Sequence, residues 1–294
     1  MDILSIDSLS DAEIDEILDR GQHWFDHIRS GAAASQALAG RIVFNLFYEN
    51  STRTLMSFST AAHRLGASVV TLPVEHSSVK KGETLEDTAA TLNAMRPDAL
   101  VIRHRVNGAA GRVAEIMEAP VLNAGDGTNE HPTQALLDAA AIRQRLGRTE
   151  GLKVAICGDI RHSRVARSNA KLLPRLGADV RLAGPPELMP EGIPPLSVDE
   201  AIAGANVVMM LRVQRERLED DLGDAPGEYL ARFGLTADRL ATAAPGAVVM
   251  HPGPMNRGVE IDGAIADDPE RSLIGLQVEM GVAVRMACLE LLLD

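Results

Sequence analysis

Short apolar runs alternate with amphipathic stretches along the chain, in the rhythm of strands that feed helices. Runs at Ile42–Tyr48, Ser68–Pro73, Ala99–Arg103 and Val121–Asn123 read as strands. A second series follows at Lys153–Cys157, Asp179–Ala183, Asn206–Leu211 and Ala247–Met250. Helical segments such as Leu55–Leu65 and Arg164–Leu173 separate the strands, which is the order expected of parallel sheets covered by helices.

The repetition predicts an α/β protein of two Rossmann-like domains, each a parallel sheet flanked by helices. Between the two series, Pro132 to Leu146 reads as a long helix. Proline suits a first helical turn, and Ala135, Leu136, Ala139, Ile142 and Leu146 recur at helical spacing. Amphipathic helices near Ala12–Ile28 and Ile274–Leu293 open and close the chain and are expected to pack together. The division expected is 1–134 completed by 272–294, then 135–271. The stretch Glu219–Gly234 has little periodicity and is long for a connection, so it reads as a mobile loop over a site or, equally, as an ordinary surface excursion.

Composition narrows the class. A chain of 294 residues with 46% hydrophobic and 24% charged positions can bury two cores. No apolar run approaches the roughly 18 residues of a membrane span, and Met1–Arg20 is acidic rather than basic then apolar, so no membrane role is expected and the cytoplasm is the default. Cys157 and Cys288 both sit in apolar surroundings and read as buried free thiols. The net charge of −12 argues against nucleic acid as a partner, but a local cationic cleft would still attract small anions.

The strand at Ile42–Tyr48 runs into Glu49-Asn50-Ser51-Thr52-Arg53-Thr54 just before a helix. Free backbone N–H groups, hydroxyls and a guanidinium converge there, which is equipment for holding a phosphate. Read alone, Ser and Thr at such a place are more often simple caps. The glycines and terminal lysine of a nucleoside triphosphate loop are missing. His131-Pro132-Thr133-Gln134 opens the long helix and puts His131 and Gln134 on one face of its first turn. Arg103 ends a strand, Arg164 follows another in a strand-to-helix loop, and Leu211-Arg212-Val213-Gln214 closes a third. In parallel sheets such carboxyl ends are where ligands bind. No Gly-x-Gly-x-x-Gly supports a dinucleotide, and no His, Cys or carboxylate cluster has metal-ligand spacing, so neither metal nor organic cofactor is implied.

Phe47-Tyr48-Glu49-Asn50-Ser51-Thr52-Arg53-Thr54 resembles the phosphate-binding signature of the aspartate and ornithine carbamoyltransferases, and further blocks carry the resemblance over essentially the whole chain. It implies a carbamoyl phosphate domain first and an acceptor domain second. Ser51, Thr52, Arg53 and Thr54 would hold phosphate, Arg103 would bridge phosphate and carbonyl oxygen, and His131 and Gln134 would meet the carbamoyl group. Gly253 and Pro254, in His251-Pro252-Gly253-Pro254, would accept hydrogen bonds from the carbamoyl amino group through their carbonyls. Some family members carry leucine or alanine in place of Gly253. In Ser77-Ser78-Val79-Lys80-Lys81-Gly82-Glu83-Thr84, Ser77 would reach phosphate and Lys81 both substrates in a neighbouring subunit's site, with Ser78 a competing choice of serine. Arg164, Arg212 and Gln214 would hold the acceptor.

Within the family, the acceptor blocks favour aspartate. The His-Cys-Leu-Pro and Asp-x-x-x-Ser-Met-Gly patterns typical of ornithine enzymes are absent, and paired arginines suit a dicarboxylate better than a cationic side chain. The resemblance thus implies attack of a neutral α-amine on the carbamoyl carbon in a step of pyrimidine synthesis. Arg53, Thr54, Lys81, Arg103 and His131 would be the catalytic set, with no protein nucleophile, in a homotrimer that shares its sites. Regulatory or dihydroorotase-like chains stay open as partners. The other readings are transfer to ornithine or another amino acid, and a non-catalytic trimer that binds a phosphorylated metabolite.

Overall fold

The structure is a computed structural model that describes residues 1–72, 74, 82–193, 196–213 and 226–294. The chain divides into two compact units, Met1–Ala140 with Val278–Asp294, and Ala141–Gln277.

The first unit runs α1 (Asp11–Arg29), β1 (Ile42–Phe47), α2 (Thr52–Arg64), β2 (Ser68–Leu72), α3 (Leu85–Ala94), β3 (Ala99–His104), α4 (Ala109–Ala114), β4 (Val121–Asp126) and α5 (Pro132–Leu146), whose last turns cross into the second unit. Its strands form one parallel sheet in the order β2-β1-β3-β4. Every residue of β4, and all of β3 but His104, is buried, whereas the edge strand β2 is mostly exposed. Apolar residues fill the start of these buried strands, 99–102 and 121–122, and the buried polar residues Arg103, Asn123 and Asp126 gather toward their carboxyl ends.

The second unit continues with β5 (Lys153–Cys157), α6 (Arg164–Arg175), β6 (Asp179–Ala183), α7 (Val198–Ile202), β7 (Val207–Met210), α8 (Pro226–Phe233), α9 (Ala237–Ala241), β8 (Val248–Met250), α10 (Gly263–Ala266) and the start of α11 (Ile274–Leu293). Its parallel sheet has the order β6-β5-β7-β8, the same topology as the first. The expected two-sheet α/β architecture is what the chain adopts.

The terminal helices do pack together. Ser10 and Glu13 form a reciprocal capping box that starts α1, and Ile14, Ile17, Leu18, Gly21, Trp24 and Phe25 make its buried face. Gly21 lets α11 come close: a Cβ there would lie 3.0 Å from Val284 Cγ2. Trp24 Nε1 donates to Glu290 at 3.0 Å, and Arg29 pairs with Glu279 at 3.0 Å.

One expectation needs correction. Of the stretch read as a loop, Glu219–Gly234, residues 226–233 form the helix α8, and 219–225 lie outside the described residues. Tyr229 and Phe233, four apart, share a face with ring centroids 5.5 Å apart, and Tyr229 is buried against Leu188 and Val213. That packing holds two turns that propensity alone would leave marginal.

Candidate active site

In the first unit the site grows from strand register. Phe47 pairs with Arg103 across β1 and β3, and the Tyr48 N–H donates to the Arg103 carbonyl at 2.8 Å. The segment leaving β1, Glu49 to Thr54, thus begins beside Arg103. On its other side the β3–β4 register shifts between Ile102 and His104, so Arg103 falls at the irregularity, a device that re-aims a side chain.

Ser51 caps α2 from an extended conformation. Its hydroxyl accepts the Thr54 N–H at 3.4 Å and donates to Thr54 Oγ1 at 2.9 Å. The first turn of α2 has no acidic residue, so no carboxylate of that turn offsets the positive end of the helix dipole. Thr52 and Arg53 are exposed there, while Thr54 is buried. Arg103 is 8% exposed. Its Nη1 donates to Thr54 Oγ1 at 3.4 Å and to the Ala124 carbonyl at 3.2 Å, and its Nη2 lies 3.3 Å from Glu49 Oε1. Ser51, Thr54 and Arg103 are thereby brought together at one helix N-terminus, the combination suited to an anion with several oxygens.

The loop after β4 is held by the buried Asp126 carboxylate, which accepts from the Gly108 and Glu130 N–H groups and from the Asn123 amide. It delivers His131 to the head of α5, where its carbonyl accepts the N–H groups of Gln134 at 2.9 Å and Ala135 at 3.3 Å. Both side chains of the predicted pair are buried, and Gln134 Nε2 donates to Asp138 Oδ1 at 2.9 Å. The Gln134 side chain is therefore held by a carboxylate one turn away on its own helix.

The second unit carries its own predicted residues at strand carboxyl ends. Gly158 turns the chain after β5 with φ +129, and a Cβ there would lie 2.7 Å from the Leu211 carbonyl oxygen, so a side chain would force this loop away from the end of β7. Arg164 begins α6 behind the cap Ser163, whose hydroxyl accepts the Ala166 N–H at 3.1 Å, and Arg212 follows β7; both are half-buried. Beyond β8, His251 Nδ1 accepts the Gly253 N–H at 2.9 Å, which leaves the Nε2–H to face Glu260 Oε1 at 3.3 Å. Glu260 also accepts the Asn256 N–H, so a fully buried His–Glu pair sets the backbone at Gly253 and Pro254.

Ser77, Lys81 and Gln214 lie outside the described residues. Among the described residues, no group of three His, Cys, Asp or Glu could hold a metal ion. Reading the motifs missed the supports: Glu49 against Arg103, Asp138 under Gln134, and the His251–Glu260 pair. Asp138 had a signal in the sequence, since it lies one helical turn after Gln134.

Comparison with known proteins gives one consistent set of relatives. Residues 1–144 match the aspartate/ornithine carbamoyltransferase carbamoyl-P binding domain, and residues 150–292 the Asp/Orn binding domain of that family. The aspartate carbamoyltransferase catalytic subunit of Rhodospirillum rubrum is 55% identical, covering 99% of this chain and 93% of its own. That of Sphingopyxis alaskensis is 57% identical over 99% and 86%. Aspartate transcarbamoylase from Trypanosoma cruzi, crystallised with N-(phosphonacetyl)-L-aspartic acid, is 34% identical and superposes with a TM-score of 0.88 over 100% of this chain and 95% of that one.

Proposed function

The chain belongs to the aspartate/ornithine carbamoyltransferase family, and from that premise we propose the reaction it performs and the residues that perform it. It is an aspartate carbamoyltransferase, which converts carbamoyl phosphate and L-aspartate to N-carbamoyl-L-aspartate and phosphate, an early step of pyrimidine synthesis. The observation that carries the reading is the seating of Arg103 on Thr54 at the N-terminus of α2, whose first turn has no acidic residue. A dianionic phosphate needs such a set of donors, and the two arginines Arg164 and Arg212 at strand ends of the second unit favour transfer to a dicarboxylate over mere binding of a phosphorylated metabolite.

The first unit takes carbamoyl phosphate: Ser51, Thr52, Arg53 and Thr54 hold the phosphate, Arg103 spans phosphate and carbonyl oxygen, and His131 and Gln134 meet the carbamoyl group. Gly253 and Pro254 accept from its amino end. The second unit takes aspartate, with Arg164 and Arg212 on its carboxylates and Gln214 beside them. The neutral α-amine attacks the carbamoyl carbon, and phosphate leaves from the tetrahedral intermediate and collects the amine's proton. Thr54, Arg103 and His131 stabilise the developing oxyanion, so the rate comes from holding two anions in reacting geometry and from placed donors.

The assembly proposed is a closed threefold ring in which Lys81 and Ser77 serve a neighbour's site, and its place is the cytoplasm. Among the described residues, no helix is long and apolar enough to cross a membrane. Sedimentation at three times the chain mass is the expected result.

Calorimetric titration with N-(phosphonacetyl)-L-aspartic acid tests the substrate pair. One molecule that fills both subsites loses translational freedom once, so it should bind at least about a thousandfold more tightly than inorganic phosphate or aspartate. Equal affinity for the joined molecule and its halves would overturn the assignment.

A further inference from the structure

Helix α11 is apolar on nearly every face, yet it buries one guanidinium. Arg285 is 4% exposed. Its Nη1 donates to Ser57 Oγ at 2.7 Å and to the Gly281 carbonyl at 3.3 Å, and its carbon Cζ lies 4.9 Å from the centre of the Phe58 ring. Ser57 in turn donates from Oγ to the Thr54 carbonyl at 2.9 Å. The buried carboxylate of Asp138, which accepts from Gln134, also favours the charged guanidinium electrostatically. One buried cation is thus hydrogen-bonded through Ser57 to the first turn of α2, and the charge of Asp138, which holds Gln134 in the first turn of α5, acts on it.

We infer that Arg285 is a positioning residue for carbamoyl phosphate, holding the Thr54 turn of α2 through Ser57 while its charge steadies Asp138, the carboxylate that holds Gln134. The inference rests on the carbamoyl phosphate reading given above. A guanidinium is costly to bury and its Nε–H has no hydrogen-bond acceptor among the described residues, so Arg285 is a poor choice for stability alone. Burial draws its pKa down to about 10, against the attraction of Cys288 and Asp138, so the group stays charged at neutral pH. The helix also makes room for it: a Cβ at Gly281 would stand 2.9 Å from Arg285 Nη1 and 3.3 Å from Leu137 Cδ2.

Three variants separate positioning from packing. Gly281→Ala pushes the guanidinium aside while improving helix propensity. Arg285→Lys keeps the charge and loses the fork. Ser57→Ala removes one intermediary with the least disturbance to the fold. Each should raise both the KM for carbamoyl phosphate and the calorimetric Kd for inorganic phosphate, by about tenfold for the first two and about threefold for Ser57→Ala. The KM for aspartate at saturating carbamoyl phosphate should stay within about twofold, since that substrate is assigned to the other unit.

A purely structural role would only reduce the number of competent molecules, lowering kcat per chain with both KM values unchanged. That result in folded variants would overturn the inference. So would an Arg285→Lys/Ser57→Ala double variant whose effects simply add, because residues acting through one another are non-additive. If Arg285→Lys fails to fold, Gly281→Ala and Ser57→Ala decide the matter. If the unaltered chain binds phosphate but forms no carbamoyl-aspartate, the functional reading falls, and the phosphate titration still judges Arg285.

Discussion

Arg103 Nη2 stands 3.3 Å from Glu49 Oε1, a largely buried guanidinium against a carboxylate that is 26% exposed. The same guanidinium is assigned to the substrate phosphate, so an incoming anion meets a group that already has a negative partner. Phosphate binding must weaken this pair or share it. Glu49→Gln should therefore tighten inorganic phosphate about threefold, the scale of a partly exposed ion pair, as read by calorimetry. Unchanged or weaker binding would mean that Glu49 does not compete for Arg103.

Removing the cations themselves acts in the opposite sense. Arg53→Ala and Arg103→Ala should each lower kcat/KM by about a hundredfold or more, roughly 3 kcal/mol of transition-state stabilisation. Circular dichroism should show an intact fold, because neither side chain belongs to an apolar core. Near-normal steady-state kinetics in both variants would contradict the phosphate assignment.

Much of the architecture was legible in the pattern of apolar positions. The bounds Lys153–Cys157, Asp179–Ala183, Pro132–Leu146 and Ile274–Leu293 were read as they stand, since parallel strands covered by helices appear as compact apolar runs and proline marks a helix start. Helix α8 was not legible. Pro226–Phe233 is two turns long with scattered charges, and only its packing through Tyr229 and Phe233 makes it a helix. In the site, motifs named the residues assigned to substrate but not the residues that hold them. Thr54 and Arg103 are 49 positions apart and meet only through strand register. Arg285 did leave a trace, as a single cation in an otherwise apolar run, Val282-Ala283-Val284-Arg285-Met286-Ala287-Cys288.

The second unit makes a separable prediction. Arg164→Ala and Arg212→Ala should raise the KM for aspartate about tenfold or more, by removing charge-assisted hydrogen bonds to a carboxylate. The Kd for inorganic phosphate should move much less, as titration of the same variants will read. A phosphate Kd that rises as far as the aspartate KM would assign these arginines to the wrong substrate.

Both thiols give a pH-dependent test of burial. Desolvation raises Cys157 and Cys288 to about 12, opposed by Arg239 for the first and Arg285 for the second. Unfolded thiols ionise near pH 8.5. The folded chain therefore holds protons that the unfolded chain releases, and stability should fall as pH rises from about 8.5 toward 12. Iodoacetamide at pH 8 should label neither cysteine in the native protein and both after denaturation, by mass spectrometry. Rapid native labelling at either position would refute the buried assignment.

The central claim is the transfer of a carbamoyl group to aspartate, and one colorimetric assay for carbamoylated amino acid reaches it directly. Purified protein with carbamoyl phosphate should form carbamoyl-aspartate at a rate proportional to enzyme, and should form no citrulline when ornithine replaces aspartate. Citrulline without carbamoyl-aspartate, or no carbamoylated product with either acceptor, would contradict the account.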